Sequence, residues 1–382
     1  MDILEIRKAF EEQLLCGINE LFNENILNKI IVDNKGPLYK LIKDGAVEYK
    51  THTNSSNIEH HKLQQINTFF QEIINKKDKK WINWIEHSLN KYFDTNAQIY
   101  QKSAIVGEIY SASIIYSATH KGEPIPEQRG KGKENIQTPV FKFNFIKNNT
   151  VFFEVNTPTI NTDEKERIKK IEQVFEEKVR TKPEPVMSCL IEISAAGNNP
   201  KFSTYAENCI NKFSNIKAFK KQLKAGDYNV LVVSLIDDDF CLFPTEQLCY
   251  IHNGPWGSLS TGSIWQAFYG KENDKVLEGY IGNGNIPTMK FSGMFERNDK
   301  NNISAALIIL PYKVVLYENH NAINPLPKEV LMSLINMHDF DLNISEIRIP
   351  YSYFTDLEFK NKIKKQRKII NSITKNDLCG YV

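Results

Sequence analysis

The stretch Val140-Phe141-Lys142-Phe143-Asn144-Phe145-Ile146-Lys147-Asn148-Asn149-Thr150-Val151-Phe152-Phe153-Glu154-Val155-Asn156 decides the fold class. Both flanks alternate or run apolar and are rich in aromatic and β-branched residues, the composition of strands. Lys147-Asn148-Asn149-Thr150 between them is turn chemistry, because Asn tolerates φ > 0. A hairpin is expected, in one of two registers. A loop of Asn148-Asn149 pairs Phe143 with Glu154 and turns Lys142 to the opposite side. A loop of Asn148-Asn149-Thr150 pairs Asn144 with Glu154 and Lys142 with Asn156, on one face.

Upstream, Lys102 to Thr119 is small and apolar and is followed by Gly122, Pro124 and Pro126, which predicts a helix with Glu108 as its only acid. Lys121 to Gln137 is rich in Gly, Pro and charge and reads as a loop carrying Arg129, Lys131 and Lys133. Downstream, Thr162 to Arg180 is a capped helix, Met187 to Ser194 a strand, Thr204 to Leu223 a helix and Tyr228 to Ile236 a buried strand. This alternation describes an α/β layer with a mixed sheet. Helical spacing also runs from Ile3 to Phe22 and from Trp81 to Tyr92, with a polar loop from Asp44 to Glu59 between them. Beyond the core, Asn253 to Gly284 reads as glycine-rich and irregular. Ile303 to Tyr317 is strand-like, Lys328 to Met337 helical, and Asp356 to Lys375 an amphipathic basic helix. The expected organisation is a helical region at 1–100, an α/β core at 101–245 and a C-terminal extension at 246–382.

The 382 residues are 41% hydrophobic and 25% charged, enough for a full core, and the formal net charge of +2 leaves attraction to a polyanion to local clusters. No apolar run is long enough to span a bilayer and the first residues lack a signal-peptide pattern, so a cytoplasmic protein with no membrane partner is expected. The six cysteines include no C-x-x-C pair and read as buried free thiols. The eight histidines are dispersed, and no Ser or Cys nucleophile can be tied to them. The glycines form neither a phosphate-binding loop nor a dinucleotide fingerprint.

Gly107-Glu108, then Thr138-Pro139-Val140-Phe141, then Phe153-Glu154-Val155-Asn156 is similar in order and spacing to the PD-(D/E)XK superfamily of restriction-endonuclease-like nucleases. The resemblance covers about Lys102 to Phe240. It implies a restriction-endonuclease-like core, a mixed sheet flanked by helices, and a role on nucleic acid of the kind associated with restriction or phage defence. In that family a helix supplies a carboxylate, one strand an Asp after a Pro, and the next strand Glu-x-Lys. Such acids hold Mg²⁺, which lowers the pKa of the attacking water, while the Lys orients it. Glu108 matches the helix acid and Glu154 the acid of Glu-x-Lys. Val140 stands where the Asp belongs and Asn156 where the Lys belongs, so the site is degenerate. Lys142 is the candidate replacement if the second register holds, and a solvated strand lysine otherwise. Glu192, between Ile191 and Ile193, is a candidate third metal ligand. Mg²⁺ is the cofactor implied for an active enzyme.

Basic clusters recur at Lys76-Lys77 with Lys79-Lys80, at Arg129, Lys131 and Lys133, and in the last helix at Lys360, Lys362, Lys364, Lys365, Arg367 and Lys368. These are candidate phosphate contacts for a nucleic-acid partner. The rival expectation is a catalytically silent scaffold or protein-binding module that keeps the fold. Asp237-Asp238-Asp239 is either a cation site or a solvated turn. Trp256, Trp265 and Tyr269 are either a ligand or partner surface or core.

Overall fold

A computed structural model describes residues 1–49, 58–119, 122–125, 128–129, 135–136, 140–145, 149–158, 210–211, 213–216, 223, 226–235, 251–254, 257–260, 262–277, 285–310, 313–335 and 356–374. The expected helix at 162–180 and strand at 187–194 lie outside these residues, as does most of the expected helix at 204–223.

The chain opens with α1 (Ile3–Glu12), started by a capping box in which Asp2 accepts the Glu5 N–H and Glu5 accepts the Asp2 N–H. The helical pattern expected to run on to Phe22 breaks at Leu14, whose φ of 57° is left-handed, and resumes as α2 (Cys16–Leu21). A buried side chain from α5 (Ile58–Asn75) repairs the new helix start. Asn67 Oδ1 accepts the N–H groups of Gly17, at 2.8 Å, and Ile18, at 3.2 Å. Cys16, at the first position of α2, is exposed, against the expectation of buried thiols. The other helices of this region are α3 (Glu24–Val32), α4 (Pro37–Ile42), α6 (Lys79–Tyr92) and α7 (Ile99–Thr119). Lys43–Val47, which covers the start of the expected polar loop, is π-helical.

The hairpin forms as β4 (Phe141–Asn144) and β5 (Thr150–Asn156). The segment expected as a loop before it contributes three short strands, β1 (Gly122–Pro124), β2 (Gln128–Arg129) and β3 (Asn135–Ile136). β2 and β3 pair only with each other, whereas β1, β4 and β5 join β6 (Tyr228–Ser234), β9 (Ala305–Leu310) and β10 (Lys313–Glu318) in a mixed six-stranded sheet of order β1-β4-β5-β6-β9-β10. β5, β6 and β9 are parallel, and the remaining neighbours antiparallel. Buried Asn229 fixes the β6–β9 register. Its N–H reaches Ser304 Oγ at 3.0 Å and its Nδ2 reaches the Asn302 carbonyl at 2.9 Å.

Two compact units result: Met1–Pro158 with Lys217–Asp237 and Asn301–Tyr353, and Thr159–Ile216 with Asp238–Lys300 and Phe354–Val382. These units cross the expected bounds near 100 and 245, because the N-terminal helices have no core of their own. Phe10, Leu63, Phe69 and Trp81 share one apolar cluster with Phe141, Phe153, Val232 and Leu307 of the sheet. The helix α9 (Lys328–Ile335) adds Val330 and Leu334 to that cluster.

The second unit holds β7 (Ile251–Gly254) paired with β8 (Gly257–Ser260), then α8 (Ser263–Tyr269) and α10 (Asp356–Ser372). The region expected to be irregular is thus a hairpin and a buried helix. Trp265 and Tyr269 are core, each at most 2% exposed, and Trp256 lies outside the described residues.

Gly107 lets α7 lie close to the end of β5, since a Cβ there would overlap the Thr157 side chain, whose buried Oγ1 has no hydrogen-bond partner among the described residues. Overpacking costs about 1–3 kcal/mol, against the roughly 1 kcal/mol that Ala gains over Gly in a helix. Gly107→Ala is therefore expected to destabilise the protein, while the same change in a Thr157→Ala background stabilises it. Urea denaturation of the four proteins checks the reversal of sign.

Candidate functional site

The β4–β5 register is neither of the two expected. Phe141 pairs with Phe153, Lys142 with Phe152, Phe143 with Val151 and Asn144 with Thr150. The turn is wider than an Asn-Asn hairpin because Phe145 N–H donates to the Asn149 carbonyl at 2.8 Å, and Thr150 already belongs to β5, its hydroxyl on Asn144 Oδ1 at 2.8 Å. Strand alternation then settles the faces. Val151, Phe153 and Val155 join the core that contains Ile105, Val106, Ile109 and Tyr110 of α7. Glu154 stands on the other face with Phe152 and Lys142, and is 4% exposed.

Lys142 shares that face and still does not serve Glu154. Its ammonium is paired with Glu123, on β1 across the far side of β4, and Lys80 of α6 pairs with the same carboxylate. The Trp81 indole N–H holds β1 in place through the Gly122 carbonyl at 2.8 Å. Hydrogen bonds from Lys142 and then Lys80 hold the Glu123 carboxyl below the usual carboxylate range, against a smaller opposing effect of burial. Glu108 is half-buried on α7, beside Gly107. Val140, at the position of the absent Asp, packs against the apolar cluster.

The expected Mg²⁺ site therefore does not assemble from the described residues. α7, which carries Glu108, packs on the opposite face of the sheet from Glu154, and Mg²⁺ demands oxygen ligands at about 2.1 Å in near-ideal octahedral geometry. Among the described residues no group of three His, Cys, Asp or Glu side chains could hold a metal ion. Glu192, Lys131, Lys133 and Asp237-Asp238-Asp239 lie outside the described residues, and Arg129 is placed on β2.

Comparison with known proteins finds no match. No family model, no curated protein and no solved structure aligns with the chain. No helix among the described residues is long and apolar enough to cross a membrane.

The candidate phosphate contacts on α10 divide into two groups. Arg367 is a structural residue, contrary to the expectation for it. Its Nε donates to Asp274 Oδ2 at 2.7 Å, and its Nη1 lies 3.9 Å from Glu296. Asp274 is 3% exposed and also accepts the Lys271 N–H at 2.7 Å and Asn371 Nδ2 at 2.8 Å. Lys364, Lys365 and Lys368 are exposed and Lys360 half-buried, and none of the four forms an ion pair among the described residues.

Sequence reasoning missed Glu123, Asp274 and Glu296. Glu123 sits in a segment whose Gly and Pro content reads as loop, and Asp274 meets an arginine 93 residues away. No local pattern announces either pairing.

Two predictions follow from these charges. Glu123 contributes stability above its unfolded pKa that is lost as pH falls through its depressed folded pKa. Glu123→Gln is thus expected to be less stable than wild type at neutral pH and to converge with it below the ordinary carboxylate range, in urea titrations from neutral to acidic pH. Truncating Arg367 leaves Asp274 buried beside its remaining amide donors. Arg367→Ala is expected to cost about 3–5 kcal/mol, whereas Lys364→Ala stays within about 0.5 kcal/mol, as read by chemical denaturation.

Proposed function

We propose that this chain is a restriction-endonuclease-like protein that binds nucleic acid and does not cleave it through the Glu108, Glu154 and Lys142 set. Support for the fold is the chain order itself: the helix α7, then β1, β4 and β5 as successive antiparallel neighbours, then the parallel strand β6. A helix acid, a strand after Pro139 and a strand bearing Glu154 follow one another in the order that the resemblance implies, which supports this reading.

The observation that carries the loss of cleavage is the partition of the three residues. Glu154 faces away from α7, and Lys142 is held by Glu123. A hydrolytic site needs its metal, its nucleophilic water and its lysine gathered at one phosphate. Val140 and Asn156 supply no further charge. Binding of nucleic acid needs only cations at the surface, and the exposed Lys364, Lys365 and Lys368 of α10, which form no ion pair among the described residues, support that part of the reading.

Incubation of wild type and Glu154→Ala with DNA and RNA in Mg²⁺ or Mn²⁺ tests this reading. The expected outcome is no cleavage by either protein and equal retention of labelled nucleic acid. Metal-dependent cleavage by wild type that Glu154→Ala abolishes would overturn it.

A further inference from the structure

We infer that the exposed face of α10 is the surface that grips the phosphate backbone, through Lys360, Lys364, Lys365 and Lys368, and that Arg367 is the clasp that holds this face in place. The inference rests on the nucleic-acid reading above and names the contact.

α10 carries six basic residues and two acids, Asp356 and Glu358, both in its first turn. Past that turn the helix itself carries no acid, in a chain whose formal net charge is only +2. The arrangement is regular. Lys360, Lys364 and Lys368 recur at four-residue intervals, so they fall on one face about 6 Å apart and span about 12 Å of helix axis, with Lys365 beside them. Elsewhere in the described residues Lys76 pairs with Glu72, Lys80 and Lys142 with Glu123, Lys102 with Asp33 and Lys271 with Glu296, while Lys77 and Lys79 are exposed without an ion pair but are only two in their cluster. Lys360, Lys364, Lys365 and Lys368 form no ion pair among the described residues.

Other side chains of α10 are committed to the protein. Ile363 and Ile370 are buried, and Arg367 and Asn371 both bind the buried Asp274 carboxylate. Asn371 also accepts the Lys275 N–H at 3.1 Å. The lysines thus project from a helix whose rotation is fixed, and less freedom remains to be lost when an anion binds.

Duplex nucleic acid presents one charge per about 1.7 Å of axis, so about seven charges lie opposite the lysine span. A partner with continuous anionic charge matches four cations in line without needing acids at set positions. An anionic membrane is disfavoured because Ile363 and Ile370 are buried, so among the described side chains of α10 only the half-buried Ile369 is left to enter lipid.

The test measures binding of the full chain to a short labelled duplex by fluorescence anisotropy across a range of salt. The variants are Lys360→Gln/Lys364→Gln/Lys365→Gln/Lys368→Gln and the double variant Lys364→Gln/Lys368→Gln. Each lysine on a phosphate adds about 0.9 to the slope of log affinity against log salt. The quadruple variant is expected to lose about 3–4 from that slope and at least tenfold in affinity at low salt, the double variant about half as much slope, with circular dichroism unchanged. Should the quadruple variant misfold, the double variant alone decides. Unaltered binding by folded variants would overturn this inference and leave the wider reading standing, whereas absence of binding by wild type would overturn both. Tighter binding to phosphatidylserine vesicles than to duplex at equal salt would also overturn it.

Discussion

Side chains alternate across β5 with a period of two, and its pairing to β4 on one side and β6 on the other allows no slip. Val151, Phe153 and Val155 enter the helical core, so Phe152, Glu154 and Asn156 must take the other face. Moving any one of them across would carry three aromatic or branched side chains out of the core. The chemistry open to Glu154 is therefore set by packing and not by its identity. The same constraint reaches α7, which packs on the apolar face and brings Glu108 with it.

Charge in this molecule is managed by local capture. Glu123 holds two lysines from different elements, and Asp274 takes an arginine, an amide side chain and a backbone N–H at once. A buried carboxylate satisfied by three donors is tolerable where a lone one is not. These clusters differ from the α10 lysines in what surrounds them. The former are closed by their partners, whereas Lys364, Lys365 and Lys368 are exposed and form no ion pair among the described residues.

The hairpin, the helix before it and the strand at Tyr228 were legible because apolar periodicity is strong over each. The break at Leu14 was not, because nothing in Gln13-Leu14-Leu15 marks a left-handed residue, and the repair comes from Asn67 in another helix. β1 was hidden by its length of three residues and by Pro124. Glu108 and Glu154 were identifiable as candidate acids from their neighbours, but which residues share the face of Glu154 depends on a register that Asn148-Asn149 leaves open. Arg367 looked like its lysine neighbours in sequence and differs from them only through Asp274, a contact that exists only once the chain has folded.

β1 has a further consequence as the edge of the six-stranded sheet. An edge strand is a template on which another chain can stack its own backbone, and long apolar edges invite aggregation. Here the edge is three residues long, ends in Pro124, and carries Glu123 clamped between two ammonium groups. Any incoming strand would meet that cluster of charge before completing two rungs of a ladder. The pairing that removes Lys142 from Glu154 thus also protects one border of the sheet against self-association.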